Sequence, residues 1–336
     1  MQFDAWYNDH FFGRDAMIYL YNYIKFFISP NGENDKAMVG ENGFLWSKAY
    51  NSVDMYSNNN LFTYSELKKV GENIERFVKN AHAAGVKNIY FMLSNDKESV
   101  YPEFYPSYIK QIGKVSRLEQ ILNYIHSKYP FIRFLNFRDK FEDIKKKENV
   151  FYKTGTHMNN IGAYYEYYFL ANEIKKDYPE INVLSIDNFD IIVSEDLHDI
   201  DIYKRFMVLP RYAKNNFVNK IIKYKNINSN IKIKYAEREF GSFINVSNDK
   251  ASNGLRVFVM SDSFLGEYST YLYETFSKVD KIFWGDGKDF ILSKNEQEYL
   301  LNNIPDIIII GTTERFLQRF LTIEFPKNLN SSTKEN

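Results

Sequence analysis

A serine and a histidine, far apart in the sequence, have the residue types needed for nucleophilic catalysis. Ser263 lies in VFVMSDSF (residues 257–264), where an apolar strand pattern ends at Met260 and the chain turns toward a helix beginning near Leu265. A hydroxyl at the carboxyl end of a strand lies on the ligand side of an open α/β sheet. Backbone N–H groups at the start of the following helix can stabilise an oxyanion. The alternative is that Ser261 or Ser263 simply caps that helix.

His157 is the natural general base for such a serine. A serine hydroxyl is a weak nucleophile until a neighbouring group takes its proton. His157 stands in a polar turn, FYKTGTHMNN (residues 151–160), ahead of an aromatic-rich helix that Asn159 or Asn160 could cap. The alternative is a loop histidine without a chemical role.

Another group of titratable residues lies in the stretch SEDLHDID, residues 194–201. It contains Glu195, Asp196, His198, Asp199 and Asp201. These residue types could form a metal site or an Asp–His pair. A dense run of acids is also typical of a solvated loop, and we favour that interpretation. We therefore predict neither a metal ion nor another cofactor.

The composition narrows the class of protein. The chain has 336 residues, enough for a substantial core, and its 43 Lys and Arg balance its 43 Asp and Glu. A formal net charge of zero argues against nucleic-acid binding, which normally needs a basic excess. The absence of cysteine excludes disulfides, thiolate metal ligands and a cysteine nucleophile.

Alternating helix and strand patterns predict an α/β fold with a mostly parallel sheet. Thr63 and Glu66 form a capping box before a helix that ends at Gly85, and the apolar run Val86–Leu93 follows. The cycle recurs, with helices at Ser116–His126 and Ile161–Lys176 and strands at Phe131–Phe137, Arg256–Met260 and Asp306–Gly311. Helices between such strands cover both faces of a sheet, so we predict a three-layer sandwich.

The predicted organisation is one domain over residues 1–327. It includes a less regular insertion at about 178–253, read as strands and loops, and a disordered polar tail follows at 328–336. No signal peptide is visible, and the apolar segment Ala16–Ile28 is too short to span a bilayer. If the natural protein is exported, we expect its signal or anchor to be missing from this chain.

Six separated blocks, in a fixed order, make the sequence resemble a known family. The blocks are WYNDHFFGRDAMIYLYNYIK (Trp6–Lys25), MVGENGFLW (Met38–Trp46), MLSNDKESVYPEFYP (Met92–Pro106), FYKTGTHMNNIGAYYEY (Phe151–Tyr167), VFVMSDSF (Val257–Phe264) and IPDIIIIGTTERFL (Ile304–Leu317). Together they resemble the SGNH-hydrolase-like polysaccharide O-acetyltransferases of the alginate AlgX/AlgJ type. The resemblance implies an SGNH-like sandwich and spans most of the chain.

The resemblance also implies roles for individual residues. Ser263 would be the nucleophile that accepts the acyl group, His157 its base, and Asp262 a mainly structural neighbour. Lys97 and Tyr101 would line the cleft and touch substrate, or else be a surface lysine and a half-buried ring. Arg315, after the last predicted strand, would bind an anionic group, or would pair with Glu314 or another neighbouring acid.

The sequence departs from the family pattern beside both catalytic candidates. The family's Asp two residues before the histidine is Gly155 here, the Trp after the histidine is Met158, and the Gly before Asp-Ser is Ser261. Losing the carboxylate removes the group that orients the imidazole and stabilises its charged form. Either a backbone carbonyl or another acid, such as Asp196, substitutes for it, or the protein is slow or inactive.

Three functions are compatible with these residues. The first, our prediction, is an O-acetyltransferase that modifies hydroxyls of an extracellular or cell-surface polysaccharide through an acyl-serine intermediate. The second is a carbohydrate esterase or deacetylase with water as acceptor, and the third is a non-catalytic glycan-binding or assembly protein. The resemblance implies a location outside the cytoplasm, in the periplasm or at the cell surface. It also implies a membrane-bound acyltransferase as acetyl donor.

Overall fold

The structure is a computed structural model that describes residues 13–28, 33–194, 202, 219–224, 231–238, 241–284 and 289–326. The α-helices are α1 (Arg14–Ile28), α2 (Ser52–Tyr56), α3 (Tyr64–Ala84), α4 (Lys97–Val100), α5 (Arg117–Lys128), α6 (Arg138–Lys145), α7 (Asn160–Lys175), α8 (Ser263–Thr275) and α9 (Lys294–Asn302). The strands are β1 (Ala37–Val39), β2 (Leu45–Ser47), β3 (Asn88–Ser94), β4 (Arg133–Leu135), β5 (Phe189–Ser194), β6 (Asn219–Tyr224), β7 (Ile231–Arg238), β8 (Gly241–Asn248), β9 (Arg256–Ser261), β10 (Lys278–Trp284) and β11 (Ile307–Thr313). A 3₁₀ helix, Glu314–Leu321, follows β11, and shorter ones lie at Glu41–Gly43, Ala49–Asn51, Pro102–Phe104 and Ile186–Asn188.

The central sheet determines where the carboxyl ends of the strands meet. Its strand order is β4-β3-β11-β9-β10-β8-β7. The strands from β4 to β10 pair in parallel, and β8 and β7 add an antiparallel edge. Because β3, β9 and β11 are adjacent or one strand apart, the segments that follow them lie together at one edge of the sheet.

The side chains of the central strands alternate between the two faces of the sheet, and this produces two hydrophobic cores. Successive side chains of a strand point to opposite faces. Tyr90 and Met92 of β3 pack in the core covered by α7 and α8, while Phe91 and Leu93 pack in the core covered by α3 and α5. The structure therefore confirms the predicted three-layer sandwich with a mostly parallel sheet.

Local signals fix the helix ends where they were predicted. Thr63 and Glu66 form the capping box of α3, and Ser116 and Glu119 form that of α5. Gly85 ends α3 with φ of +111°, a left-handed conformation that favours glycine.

The region predicted as an insertion contributes strands to the fold. β5 and β6 form a separate two-stranded antiparallel sheet, but β7 and β8 extend the central sheet. The predicted tail, 328–336, lies outside the described residues, as does much of 195–218. Within the described part of the chain, no helix is long and apolar enough to cross a membrane.

Candidate active site

Ser263 is the first residue of α8, directly after the end of β9. β9 lies between β11 and β10, so Ser263 stands at the carboxyl edge of the parallel strands. The N-cap of α8 is Asp262, whose carboxylate accepts a hydrogen bond from the Phe264 amide at 3.1 Å. The alternative that Ser261 or Ser263 is the cap is therefore wrong, and the Ser263 hydroxyl is not needed to start the helix.

Asp262 ties the start of α8 to the end of β11. Its buried carboxylate accepts hydrogen bonds from the Thr313 amide at 2.9 Å and from Arg319 at 3.1 Å. Burial raises the pKa of Asp262, while Arg319 and the amide donors oppose that rise. These contacts are those of a structural residue that fixes the turn carrying Ser263.

The loop that carries His157 is closed by backbone hydrogen bonds. Phe151 and Met158 form an antiparallel bridge, and the Tyr152 amide donates to the His157 carbonyl at 3.2 Å. The loop leads into α7, whose N-cap is Asn159. The predicted cap is thus confirmed for Asn159, and His157 stands at the entrance of the helix.

The His157 ring packs against the residue that follows Ser263. The centroids of the His157 and Phe264 rings are 5.4 Å apart. The guanidinium of Arg315 also lies over the Phe264 ring, 5.4 Å from its centroid. The fold therefore brings the histidine loop, the start of α8 and the segment after β11 together at one edge of the sheet.

Lys97 and Tyr101 neither line a cleft nor form a surface lysine and a half-buried ring, because each is only 2% exposed, so both predicted alternatives are wrong. The Lys97 ammonium donates to the carbonyls of Leu45 at 2.7 Å and Gly155 at 2.6 Å. The Tyr101 hydroxyl accepts from the Val150 amide at 2.9 Å, and burial raises the pKa of Tyr101 to about 12. Both side chains support the histidine loop from inside the protein.

Arg315 pairs with a neighbouring acid, one of the two predicted possibilities. Its Nε and Nη2 atoms donate to Asp96 Oδ1 at 2.7 and 2.5 Å. This pair is largely buried, with side-chain exposures of 12% and 6%. Arg315 therefore links the end of β3 to the Phe264 ring.

Gly155, at the position of the family's acid, does not have positive φ. Among the described residues, the glycines with positive φ are Gly13, Gly43, Gly85 and Gly254. The Gly155 carbonyl is engaged by Lys97. The acid considered as a replacement, Asp196, lies outside the described residues together with the rest of the 195–201 cluster, including His198. Within the described ranges, no group of three or more His, Asp or Glu could hold a metal ion.

A cavity of about 610 Å³ opens beside these residues, and the sequence did not predict it. Its lining includes Tyr56, Asp96, Glu98, Arg138 and Glu314. Burial and the nearby Asp96 raise the pKa of Glu98 to about 6 and that of Glu314 to about 8. Ser263 and His157 do not line this cavity, but Asp96 connects its wall to Arg315. No local motif signals it, since its lining comes from segments far apart in sequence.

The family model for the SGNH hydrolase-like domain of the acetyltransferase AlgX matches residues 38–213. This is more than half of the chain. The chain belongs to this SGNH hydrolase-like acetyltransferase family. The match confirms the resemblance found in the sequence and identifies the protein as an SGNH-like acyltransferase. It covers the His157 loop and ends before the segment that contains Ser263. No curated protein sequence matches the chain.

Solved structures show the same fold at low sequence identity. PatB1 of Bacillus cereus, solved with a sulfonyl adduct, is 14% identical with a TM-score of 0.56, and the match covers 87% of this chain and 100% of that one. A DHHW family protein of Eubacterium siraeum is 9% identical with a TM-score of 0.59, covering 88% and 98%. Pseudomonas aeruginosa AlgX is 12% identical with a TM-score of 0.50, covering 87% and 63%. These similarities support the SGNH-like architecture of the family member described here.

Proposed function

We propose that this protein is an O-acetyltransferase that acetylates hydroxyls of an extracellular or cell-surface polysaccharide through an acetyl-Ser263 intermediate. The observation that carries the proposal is the position of Ser263 at the start of α8, with the His157 ring against the next residue. Family membership supplies the reaction class. The polysaccharide is inferred from the family resemblance of the sequence.

The proposed reaction has two balanced steps. In the first, the Ser263 oxygen attacks the acetyl carbonyl of the donor while His157 takes the serine proton and returns it to the leaving group. In the second, the oxygen of a sugar hydroxyl attacks the carbonyl carbon of acetyl-Ser263 while His157 takes the sugar proton, and His157 passes that proton to the serine oxygen as the bond between serine and acetyl breaks. The acetyl group thus moves from donor to acceptor without a cofactor.

The start of α8 supports stabilisation of the oxyanion in both steps. The first amides of a helix have no acceptor within the helix and carry the positive end of its dipole. Asp262 engages the Phe264 amide, and we infer that the amide of Ser263 itself donates to the oxyanion. One preorganised donor of this kind is worth about 10²- to 10³-fold in rate.

The proposed reaction needs an acceptor and a donor of the acetyl group. No nucleic acid is expected, because the chain has no net charge. We infer a polysaccharide acceptor, and a membrane-bound acyltransferase as the source of acetyl groups. Both would meet the protein outside the cytoplasm, in the periplasm or at the cell surface.

Turnover of a chromogenic acetyl ester tests the proposal. We expect measurable release of the chromophore by the wild type, and a loss of about 10³-fold or more in Ser263→Ala and His157→Ala, since each removes a member of the catalytic pair. Ser261→Ala is the matched control, because Ser261 is buried and its hydroxyl lies 3.4 Å from the Ile282 carbonyl. It should keep most of the activity.

Addition of oligosaccharides separates transfer from hydrolysis. A transferase should speed chromophore release and yield oligosaccharide that is heavier by one acetyl group. Release without any acetylated sugar would instead indicate an esterase. Turnover that survives both alanine substitutions would refute the assignment of Ser263 and His157.

A further inference from the structure

The Lys97 side chain lies inside a shell of backbone carbonyls. Besides the short bonds to Leu45 and Gly155, its ammonium lies 3.3 Å from the Tyr152 carbonyl and 3.4 Å from the Lys153 carbonyl. An ammonium has three N–H donors, so the two short bonds are complemented by one donor shared between the longer contacts. The Trp46 ring, with its centroid at 4.9 Å, covers another side of the charge.

Three of these carbonyls belong to one segment, residues 152–155, which ends two residues before His157. The segment is also tied to β2, because the Leu45 amide donates to the Lys153 carbonyl at 2.8 Å. Lys97 itself begins α4, directly after the segment that follows β3. The ammonium therefore joins the β3 side of the sheet and β2 to the histidine loop.

The positive charge of Lys97 offsets the unfavourable electrostatics of these inward-pointing carbonyls. Carbonyl oxygens that converge in a buried place repel one another and lose their solvation. A buried cation with three donors satisfies them at once, and a neutral apolar side chain of similar length does not. The shape of the loop, and with it the direction of the His157 ring, depends on that cation.

We propose that Lys97 is a positioning residue for His157. Its buried ammonium gathers the carbonyls before the histidine and sets the imidazole against Phe264, the residue after Ser263. Gly155 has no side chain to orient the imidazole and contributes its carbonyl to this arrangement instead. This inference rests on the proposed function, in which His157 is the general base.

Lys97→Met tests the role of the charge, and Lys281→Met is the matched control. Lys281 is also buried, and its ammonium donates to Ser269 of α8 at 2.9 Å. In Lys97→Met we expect kcat for an acetyl ester to fall about 10- to 100-fold with little change in KM, because a misplaced base impairs the chemical step rather than binding. Lys281→Met should retain kcat at a comparable loss of thermal stability.

Two further readouts separate positioning from general destabilisation. The rate at which a sulfonyl fluoride modifies Ser263, followed by mass spectrometry, should fall in parallel with kcat. The NMR signal of the His157 ring, assigned by its loss in His157→Ala, should move or broaden in Lys97→Met and stay in place in Lys281→Met. If Lys97→Met does not fold, Lys97→Gln gives the same test with a smaller effect, because its amide retains two N–H donors.

The outcomes distinguish this inference from the proposed function. Folded Lys97→Met with wild-type kcat, wild-type labelling and an unmoved His157 signal overturns the positioning role. If Ser263→Ala retains full turnover, the proposed function fails, and the His157 NMR signal alone then decides whether Lys97 sets the ring. A shift confined to Lys97→Met supports the inference in that case, and an unmoved signal refutes it.

Discussion

At Gly155 the chain lacks the carboxylate that the family has two residues before the histidine. The contacts around Gly155 show how the histidine loop is held without it. The Gly155 carbonyl accepts from Lys97 at 2.6 Å, and the Tyr152 amide donates to the His157 carbonyl. These interactions hold the main chain of the loop. A carboxylate two residues before the histidine would accept a hydrogen bond from the imidazole N–H and so act on the ring itself.

We predict that Gly155→Asp raises acetyl-ester turnover by about ten-fold or more, within the range that such an acid supplies to a serine–histidine pair. Gly155 does not have positive φ, so the substitution adds no left-handed strain. The measurement is kcat at saturating ester for wild type and variant, with Ser263→Ala in the Gly155→Asp background as the blank.

Gly155→Asn is the matched control, because its amide has the shape of Asp without the charge. It should give no such gain, since a neutral amide does not stabilise the imidazolium. Equal turnover in wild type and Gly155→Asp, or a decrease in the Asp variant alone, would show that the new carboxylate does not act on His157. Lys97, which contacts the carbonyl of residue 155, would then be a competing partner for the new carboxylate.

At the scale of elements, helix ends and uninterrupted strands are predictable from sequence. The capping boxes of α3 and α5 use side chains and amides three residues apart, so the pattern contains the whole interaction. β3, β9 and β11 are nearly continuous apolar runs because both faces are covered. The approach of Ser263 and His157 to one sheet edge follows from these elements and their order.

Elements whose sequence pattern depends on distant partners are not predictable in this way. β10 was not predicted, because Asp280 and Lys281 interrupt its apolar run. Both are buried in the structure, where Asp280 pairs with Arg256 at 2.7 Å and Lys281 donates to Ser269. The burial of Lys97 has the same origin, since its carbonyl partners lie more than fifty residues away. Sequence spacing does not report such partners.

At the scale of the whole molecule, a group of buried polar side chains lies behind the candidate site. Ser94 of β3 and Thr313 of β11 are paired residues at the carboxyl ends of their strands, and Glu166 and Tyr268 face them from α7 and α8. In the described part of the chain, none of the side-chain oxygens of these four residues makes a hydrogen bond of good geometry, although Ser94 lies within interaction range of both Glu166 and Tyr268. Burial, and the nearby charge of Asp262, raise the pKa of Glu166 to about 8.

This raised pKa makes stability depend on pH. The folded protein holds the Glu166 proton up to about pH 8, whereas the unfolded chain loses it near 4.5. The unfolded state therefore binds fewer protons between these values, and the contribution of Glu166 to the free energy of unfolding falls as pH rises from about 4.5 to 8. Glu166→Gln removes the titration, so its stability relative to wild type should increase by about 2–4 kcal/mol between pH 5 and pH 9.

Denaturant unfolding of both proteins at pH 5, 7 and 9 measures this difference. Glu72→Gln on the exposed face of α3 is the matched control for replacing a carboxylate by an amide outside this buried group. Parallel stability curves for wild type and Glu166→Gln would mean that Glu166 is ionised in the folded protein. The polar group behind Ser263 would then need a different description.

Ser263 is the residue proposed to receive the acyl group, and trapping the acetyl-Ser263 intermediate tests that role most directly. The protein is mixed with the chromogenic acetyl ester, quenched in acid during turnover, digested and analysed by mass spectrometry. We predict one acetyl group on the peptide that contains Ser263, its site confirmed by fragmentation, and no acetyl group in Ser263→Ala. Accumulation should also be reduced in His157→Ala. An acetyl group on another residue, or equal labelling of Ser263→Ala, would contradict the assignment of Ser263 as the nucleophile.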